Sequence, residues 1–313
     1  MSSTSDAQRV FVTGATGVLG RRVVRQLIDS GHSVTAVARN AEKANQLRQA
    51  GANPVTIDLF DAVALKAAFV GHDSVANLAT SIPTGMSAAN PFAWKANDRL
   101  RRDASRAICT AAGGTGIKRV IQESITFPYT AAGSTWINED HERTYCKANQ
   151  TVQNAEEAAL GFALTDRSAP DRSAVVLRFG MFMAAESAHM NMVLTAARKG
   201  VFGLIGDLDS YISFIHADDA AAAVVAALHV PSGIYNVTES EPTLRSAHRD
   251  ILSDIVRRRL KKVPAVVVKL GGGGADSMSR SQRISSQRLQ EVSSWKAHHH
   301  CIDSWSTVPK EST

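Results

Sequence analysis

Three glycines near the amino terminus constrain this chain more than any other feature. In VFVTGATGVLGRR, residues 10–22, Gly14, Gly17 and Gly20 follow one another at intervals of three. The apolar run before them is typical of a buried strand, and the apolar residues after them recur at helical spacing as far as Gly31. A glycine turn that joins a strand to a helix predicts the start of a βαβ unit, because glycine permits the tight bend.

The same turn has the chemistry of an anion site. Glycine leaves no side chain between the backbone and a pyrophosphate, and the first turn of the helix offers free N–H groups at the positive end of its dipole. We therefore predict dinucleotide binding here; a purely structural turn is the alternative. The residues predicted to hold the dinucleotide at this turn are Gly14, Thr16, Gly17, Val18, Leu19 and Gly20.

Two basic residues follow the second predicted strand, residues 33–38. Proteins that bind NAD usually have an acid at the end of this strand, whereas this chain has Arg39 there and Lys43 four residues later. An acid would repel a 2′-phosphate, and charge-assisted bonds from Arg and Lys contribute about 1.5–3 kcal/mol each. The sequence predicts NADP as the cofactor, with NAD as the alternative, in which Arg39 stacks on adenine or faces water.

The alternation of strand and helix patterns continues through the chain. Strands are predicted at residues 9–14, 33–38, 54–59, 74–79, 119–124 and 174–179, and helices at 41–50, 62–70, 93–112 and 147–163. Strands rich in Val and Ile that alternate with helices predict an α/β fold, a Rossmann doubly wound parallel sheet covered on both faces.

The rhythm becomes weaker after residue 180, which suggests a division of the chain. We expect a dinucleotide-binding Rossmann domain at residues 8–180, completed by 211–238. Residues 181–210 and 239–313 are expected to form a smaller C-terminal substrate-binding lid. The four-glycine run at 271–274 is predicted to be a flexible connector, because no strand leads into a helix there.

Composition and charge narrow the partners. The net charge is +6, but the basic runs carry no interleaved aromatic residues, so we expect no nucleic-acid partner. The longest apolar stretch, residues 220–228, is shorter than the roughly 20 residues that cross a bilayer, and MSSTSDAQRV has no apolar run typical of a signal peptide. Three separated cysteines imply no disulfide framework, so a cytoplasmic location is expected. The predicted lid and the long tail favour a small-molecule partner.

Several motifs in order resemble one enzyme superfamily. They are TGATGVLG, IDLFD, NLAT, VVLRFGMF, FIHADDAAAAVVAAL and GIYNVT, spread over residues 9–240. Together they resemble the extended or atypical short-chain dehydrogenases/reductases, nearest to the NAD-dependent epimerase/dehydratase family. The piece ARNAEK is also similar to the NmrA-like branch, which binds NADP.

The resemblance implies further contacts. Asp58 and Leu59 would touch the adenine, unless Asp58 only caps a helix or turn, and Ala79 and Thr80 would lie along the ribose and nicotinamide. It also implies a possible homodimer, formed through the helices predicted at 93–112 and 147–163.

Members of this superfamily move a proton through a Tyr whose pKa is lowered by a Lys on the next helical turn. In HERTYCKANQ, Lys147 is two residues after Tyr145, and the fourth position holds Asn149. An alignment through Glu156 instead places Ala148 where the Tyr is expected. The Tyr–Lys dyad is therefore not intact. Tyr145 reaches the site only if it precedes the helix, where the spacing rule is relaxed; otherwise it is a structural or surface residue.

The third catalytic group of the superfamily is a Ser or Thr at the end of the fifth strand. Ile125 aligns with that position, and Ser124 and Thr126 on either side point to the opposite face of a regular strand. A one-residue bulge would bring one of them into place, Ser124 in preference. The catalytic candidates are thus Ser124, Thr126, Tyr145 and Lys147.

The remaining candidates each have a structural interpretation. Glu123 is more typical of a salt-bridged or solvent-edge acid than of an acid/base catalyst, and Arg178 either pairs with an acid or lies near the substrate cleft. His216 and Asp218 are expected to cap the following helix. Trp94 and Asn97 would line the pocket or anchor their helix. HHHC at 298–301 lacks a second ligand cluster, so no metal is expected.

Three functions remain open. The first is an NAD(P)-dependent oxidoreductase or epimerase that acts on a hydroxyl or carbonyl of a small molecule with an atypical Tyr/Lys arrangement. The second is an NADP-binding regulator that senses redox state without hydride transfer. The third is a non-redox enzyme on the same fold that uses Glu123 or Arg178.

Overall fold

The structure is a computed structural model that describes residues 7–83, 87, 90–164 and 171–307. The strands are β1 (Arg9–Thr13), β2 (Ser33–Val37), β3 (Asn53–Val55), β4 (Ser74–Asn77), β5 (Arg119–Ile125), β6 (Trp136–Ile137), β7 (Ser173–Phe179), β8 (Met181–Met183), β9 (Val201–Phe202), β10 (Tyr211–Ile212), β11 (Phe214–His216), β12 (Gly233–Val237), β13 (Thr243–Leu244), β14 (Lys261–Lys262) and β15 (Arg283–Ile284).

The α-helices are α1 (Val18–Asp29), α2 (Ala41–Gln49), α3 (Ala62–Phe69), α4 (Lys95–Arg99), α5 (Ser105–Gly113), α6 (Thr151–Leu164), α7 (Ala188–Arg198), α8 (Ala217–Ala226), α9 (Arg245–Val256), α10 (Ala265–Leu270), α11 (Gly272–Ser279) and α12 (Gln287–Val292). Short 3-10 helices cover Pro91–Trp94 and Cys301–Thr307, and a π-helical turn, Leu100–Ala104, joins α4 to α5.

A parallel sheet of seven strands forms the centre of the described chain, in the order β12-β7-β5-β4-β1-β2-β3. The chain runs outward from β1 to β3 and then returns to place β4 on the other side of β1. This reversal opens a crevice between the carboxyl ends of β1 and β4, the usual ligand site of doubly wound sheets. The predicted Rossmann architecture is confirmed.

Apolar side chains on both faces of the sheet explain its burial. On one face, Val10 and Val12 of β1 pack with the Val23, Val24 and Leu27 stripe of α1 and with the alanines of α8. On the other face, the alternate residues of the same strands pack against α3, α5 and α6. A sheet sandwiched in this way requires strands that are apolar throughout, as the sequence pattern indicated.

Residues after β7 build a separate apolar core. It joins α7, α9 and the 3-10 helix Cys301–Thr307, with Trp305 fully buried among them. Short two-stranded pairs, β8 with β11 and β15 with β6, connect these segments to the rest of the fold. The division into a Rossmann domain and a substrate-binding lid stays a prediction.

Three predicted elements differ from the structure. The helix predicted at 93–112 is interrupted by the π-helical turn, and the helix predicted at 147–163 begins only at Thr151, after turns at 147–150. The prediction that the glycine run at 271–274 is a flexible connector is wrong, because Gly272–Ser279 is helical. Packing decides this case, since tertiary contacts override the low helix propensity of glycine. Within the described ranges, no helix is both long and apolar enough to cross a membrane.

Candidate active site

The glycine turn is fixed by contacts that only glycine permits. Gly14 has a φ of +65°, and a Cβ there would lie 2.3 Å from the carbonyl oxygen of Leu78 at the end of β4. A Cβ on Gly20 would lie 2.1 Å from the carbonyl oxygen of Gly14. Any side chain at either position would collide with backbone, so the turn, the first strand and the fourth strand are held together by bare backbone.

The amino terminus of α1 is open. Gly17 is its N-cap residue, is exposed, and makes no side-chain cap, so the first N–H groups of the helix remain available. A Cβ on Gly17 would lie 3.4 Å from the carbonyl oxygen of Gly14, an ordinary contact. Unlike its two neighbours, this glycine is not required by the fold. The donors and the open space fit a pyrophosphate.

Arg39 lies beyond the end of β2, at the predicted place for a 2′-phosphate. Its side chain is exposed and, among the described residues, forms no hydrogen bond or ion pair. The neighbouring Asn40 caps α2 by accepting the backbone N–H of Lys43, 2.9 Å away. Lys43 Nζ donates to Gln46 Oε1 at 3.2 Å on the same helix. A free guanidinium at this edge suits an anion, and Lys43 lies on the next turn.

The residues expected along the rest of the cofactor lie at the same carboxyl edge. Asp58 is exposed and accepts the backbone N–H of Phe60 at 3.0 Å, as a turn residue, and Asp61 is the residue that caps α3. Leu59 lies four residues after β3, and Ala79 and Thr80 follow β4 after Leu78. A contact that the sequence did not indicate is the Arg99 guanidinium, 3.7 Å above the Phe60 ring. No motif distinguishes this pair, because the two residues are 39 positions apart.

Tyr145 precedes α6 in non-helical backbone, the arrangement that the missing i+4 spacing required. Its hydroxyl is buried and has no hydrogen-bond partner among the described residues. Burial raises the pKa of this hydroxyl, and the Arg143 guanidinium, 5.4 Å from the ring centre, offsets only part of that effect. Lys147 is exposed in the following turn. The tyrosine hydroxyl is therefore a buried donor that lacks an acceptor.

Asn149 occupies the position where a dyad lysine would stand. Its Oδ1 accepts the backbone N–H of Cys146 at 2.8 Å, and its Nδ2 donates to Ser277 Oγ of α11 at 3.2 Å. The first bond closes the turn before α6 and explains why the helix begins late. Asn149 thus anchors backbone and supplies no charge to Tyr145.

The hydroxyls of Ser124 and Thr126 already have internal acceptors. The pairing of β5 with β7 is regular through Ile125, so the bulge that would turn Ser124 toward the cleft is absent. Ser124 Oγ donates to Glu156 Oε1 at 2.6 Å, and Thr126 Oγ1 donates to the carbonyl oxygen of Phe179 at 3.2 Å. Both residues are fully buried.

Behind Ser124 lies a buried ion pair. Arg178 holds both oxygens of Glu156, with Nε to Oε1 at 2.8 Å and Nη2 to Oε2 at 2.7 Å, and Arg143 Nη1 donates to Oε2 at 2.6 Å. Burial alone would raise the pKa of Glu156, but the hydrogen bonds and charge of Arg178 outweigh it and lower that pKa. Arg178 also donates to the hydroxyl of Tyr129 at 2.8 Å. The interpretation of Arg178 as the partner of an acid is confirmed.

Glu123 forms a second buried pair. Arg101 Nη2 lies 3.4 Å from its Oε1, and both side chains are almost fully buried. Burial raises the pKa of Glu123, and the nearby Arg101 charge only partly opposes the shift. The prediction of a salt-bridged acid is confirmed. On the adjoining helix Asn97 Oδ1 accepts the backbone N–H of Ser81 at 3.0 Å.

The residues before α8 include a cluster with metal-ligand chemistry. His216 caps α8 by accepting the backbone N–H of Asp218 at 3.3 Å, as predicted, whereas Asp218 lies in the first turn and does not cap the helix. Ligand atoms of His216, Asp218 and His299 lie within 4.8 Å of one another. The two imidazole rings are stacked 3.9 Å apart at 17°, so their in-plane lone pairs do not converge, and Arg22 already holds Asp218 at 2.7 Å. The absence of a metal stays a prediction.

This chain is similar in sequence and in fold to proteins that are already known. Residues 14–161 match a family described as NAD(P)H-binding. The 3-diazoavenalumate denitrifying reductase of Streptomyces sp is 29% identical over 239 residues, which are 75% of this chain and 77% of that protein.

Two solved structures have the same fold. Human epimerase family protein SDR39U1 (isoform 2) with NADPH is 20% identical, with a TM-score of 0.75 over 96% of this chain and 98% of the other. MoeE5 in complex with UDP-glucose and NAD is 21% identical, with a TM-score of 0.75 over 96% of each chain. The chain therefore carries an NAD(P)H-binding Rossmann domain over residues 14–161, and as a whole it has the fold of these two structures.

Proposed function

We propose that this protein is an NADPH-dependent reductase of a small carbonyl compound, in which Tyr145 gives the proton. The observation that carries the proposal is the buried Tyr145 hydroxyl, which lacks a partner among the described residues while the hydroxyls of Ser124 and Thr126 have theirs. Bound NADPH supplies the hydride for the carbonyl carbon. The hydroxyl proton of Tyr145 then goes to the oxygen that becomes the alcohol.

The direction of the reaction follows from the charges around Tyr145. Burial raises the pKa of its hydroxyl, and Asn149 supplies no positive charge at the position of the usual lysine. A tyrosine that stays protonated can give a proton to a reduced carbonyl oxygen, but it is a poor base for oxidising an alcohol. Reduction is thus favoured over oxidation and over epimerisation, which needs both directions. The similarity to a relative named as a reductase supports this choice.

The preference for NADPH rests on Arg39. Its free, exposed guanidinium at the end of β2 would hold the 2′-phosphate, with Lys43 on the next turn adding charge. The glycine turn and the open helix terminus would hold the pyrophosphate. Asp58, Leu59, Ala79 and Thr80 would line the remainder of the cofactor along the carboxyl edge.

The test combines binding and turnover. NADPH is titrated into the purified protein with nicotinamide fluorescence as the signal, and absorbance at 340 nm is followed with a panel of ketones and aldehydes. Tyr145→Phe should lower kcat by about 100-fold, since general acid catalysis contributes about that much or more, with NADPH affinity unchanged. Tyr235→Phe, which removes only a hydroxyl bonded to the carbonyl of Pro231, is the matched control. An equal rate for Tyr145→Phe and wild type would refute the proposal.

A second candidate is a redox-sensing regulator that binds the cofactor without hydride transfer. The lost dyad favours it, because Asn149 and the buried hydroxyls of Ser124 and Thr126 give the site few groups for chemistry. Such a protein would show no oxidation of NADPH with any carbonyl compound in the panel. It would also bind NADPH and NADP+ with different affinities, which the same titration measures.

A non-redox enzyme that uses Glu123 or Arg178 has less support. Glu123 is paired with Arg101, and Arg178 holds both oxygens of Glu156. Each charge is already neutralised by a buried partner, so neither is available to a substrate without breaking that pair.

A further inference from the structure

Helix α11 packs unusually closely on the segment that carries Tyr145. A Cβ placed on Gly273 would lie 2.7 Å from Cys146 Cβ, a distance that real side chains do not adopt. A Cβ on the next residue, Gly274, would lie 3.5 Å from Ala148 Cβ, which is ordinary contact. The glycine run predicted as a connector is therefore a packing surface, and its closest approach is to the neighbour of Tyr145.

Hydrogen bonds from the same helix join the two segments that hold the catalytic candidates. Ser277 Oγ accepts Asn149 Nδ2 at 3.2 Å and donates to the carbonyl oxygen of Phe127 at 2.7 Å. Ser277 is buried, with 3% of its surface exposed. One side chain thus links the turn after Tyr145 to the residue that follows Thr126.

Arg280, just after α11, repeats this link on the other side of Tyr145. Its guanidinium Nη1 donates to the carbonyl oxygens of Pro128, Tyr129 and Thr144 at 3.3, 3.1 and 3.4 Å. Nη2 donates to Asp276 Oδ2 on α11 at 2.9 Å, which keeps the guanidinium on that helix. The residues before and after Tyr145 are therefore both attached to α11.

We propose that α11 positions Tyr145, and that Gly273, Ser277 and Arg280 are the residues through which it acts. The inference deepens the proposed function and rests on it for the role of Tyr145. Asn149 connects the two segments directly. It stands four residues after Tyr145, where the resemblance implies a charged lysine, and its side chain donates a hydrogen bond to Ser277 of α11. A displacement of about 1 Å at a reacting group can lower the rate by about 100-fold. The close packing of α11 therefore controls kcat through the position of the Tyr145 hydroxyl, without a contact between α11 and the cofactor.

Two neighbouring substitutions provide the test. Gly273→Ala forces α11 away from Cys146, whereas Gly274→Ala makes the same chemical change on the same helix with room for the methyl group. We expect Gly273→Ala to lower kcat about tenfold with NADPH affinity within about twofold of wild type. Gly274→Ala should match wild type in both.

The packing has a readout that does not depend on activity. Cys109 and Cys301 are buried and Cys146 is partly exposed, so the labelling rate with a thiol reagent reports mainly on Cys146. Labelling should be faster in Gly273→Ala than in Gly274→Ala, because the methyl group displaces the helix that covers this residue. Equal labelling rates would show that α11 does not seat on this segment and would overturn the proposal.

A double variant separates this inference from the proposed function. If α11 acts through Tyr145, adding Gly273→Ala to Tyr145→Phe should lower kcat no further. A further tenfold loss in that background would mean that α11 acts elsewhere, and the positioning role would be wrong. If Tyr145→Phe alone has no effect, the proposed function fails, while the labelling rates still decide whether α11 covers Cys146.

Discussion

Two regions of this chain lie at the carboxyl edge of the central sheet, and different interactions hold them there. The first region, residues 7–83, contains the glycine turn, and none of its Asp, Glu, Lys or Arg side chains is buried. The carboxyl ends of the later strands and the segments around them bury Arg101, Glu123, Glu139, Glu156 and Arg178. Close contacts between backbone segments hold the first region in place, whereas buried ion pairs between charged side chains hold the second.

The difference explains why the glycine turn keeps the pattern that the sequence resembles, whereas the segment around Tyr145 departs from that pattern. At Gly14 and Gly20 a single methyl group would overlap a carbonyl oxygen, so the geometry leaves one residue type. Near Tyr145, Asn149 stands at the position where the resemblance implies a lysine, and it donates a hydrogen bond to Ser277 instead. Side-chain chemistry can be exchanged for another stable arrangement, whereas a close backbone contact cannot.

The largest effect on stability is expected from breaking the buried ion pair between Arg178 and Glu156. Arg178→Met should lower the free energy of unfolding by about 3–5 kcal/mol, because it leaves Glu156 buried without its two-pronged partner. Denaturant unfolding measures this. Arg102→Met, which removes an exposed pair with Asp103, should change the same quantity by no more than about 0.5–1 kcal/mol. Similar losses in both variants would show that burial of charge does not distinguish the two settings.

The second expected effect is a pH dependence that comes from another buried acid of the later strands. Burial raises the pKa of Glu239 from 4.5 to about 7, although the backbone N–H groups of Phe214 and Cys301 donate to it. The folded protein holds this proton more tightly than the unfolded chain. Stability from Glu239 is therefore present below pH 4.5 and is lost as pH rises through about 7.

Glu239→Gln replaces the carboxyl group with an amide that does not titrate, so this contribution to the pH dependence of stability is lost. The difference in unfolding free energy between variant and wild type should change between pH 5 and pH 8 by up to about 1.4 kcal/mol per pH unit, in favour of the variant at higher pH. Glu241→Gln, an exposed acid two residues later, is the matched control. Parallel pH curves for wild type and Glu239→Gln would contradict the prediction.

A smaller effect tests the backbone-defined region without unfolding it. Gly17→Ala fits the fold, since its methyl group meets only the Gly14 carbonyl at 3.4 Å, but it fills the space above the open helix terminus. NADPH affinity should fall roughly tenfold to a hundredfold while the melting temperature stays within about 2 °C. Gly161→Ala, on a helix with open space around it, should leave affinity unchanged. Unaltered affinity in Gly17→Ala would remove the pyrophosphate from this turn.

The smallest effect concerns the choice of dinucleotide. Arg39→Ala should weaken NADPH binding by about tenfold and leave NADH binding nearly unchanged, since one charge-assisted bond contributes about 1.5–3 kcal/mol and an exposed bond lies at the low end. Titration with both nucleotides at two salt concentrations measures this ratio. Arg48→Ala, which removes an exposed Arg near the other end of α2, is the control. A parallel loss for both nucleotides would show that Arg39 does not recognise the 2′-phosphate.

The sequence predicted features that depend on neighbours in the chain. The strand, turn and helix around Gly14 could be predicted because φ and apolar spacing are local properties, and the confirmed parallel sheet follows from repeated βαβ units. The late start of α6 could not be predicted, because it depends on the bond from Cys146 to Asn149 and on α11, more than 120 residues away. The helical glycine run was missed for the same reason.

The sequence by itself determined the fold class, the glycine turn and the presence of Asn149 instead of a lysine four residues after Tyr145, because each is a matter of residue type at fixed spacing. Only the tertiary structure decided which hydroxyl is without a partner among the described residues, which acids are neutralised, and that α11 reaches the Tyr145 segment. Those properties depend on burial and on contacts between distant segments, and a one-dimensional pattern contains neither.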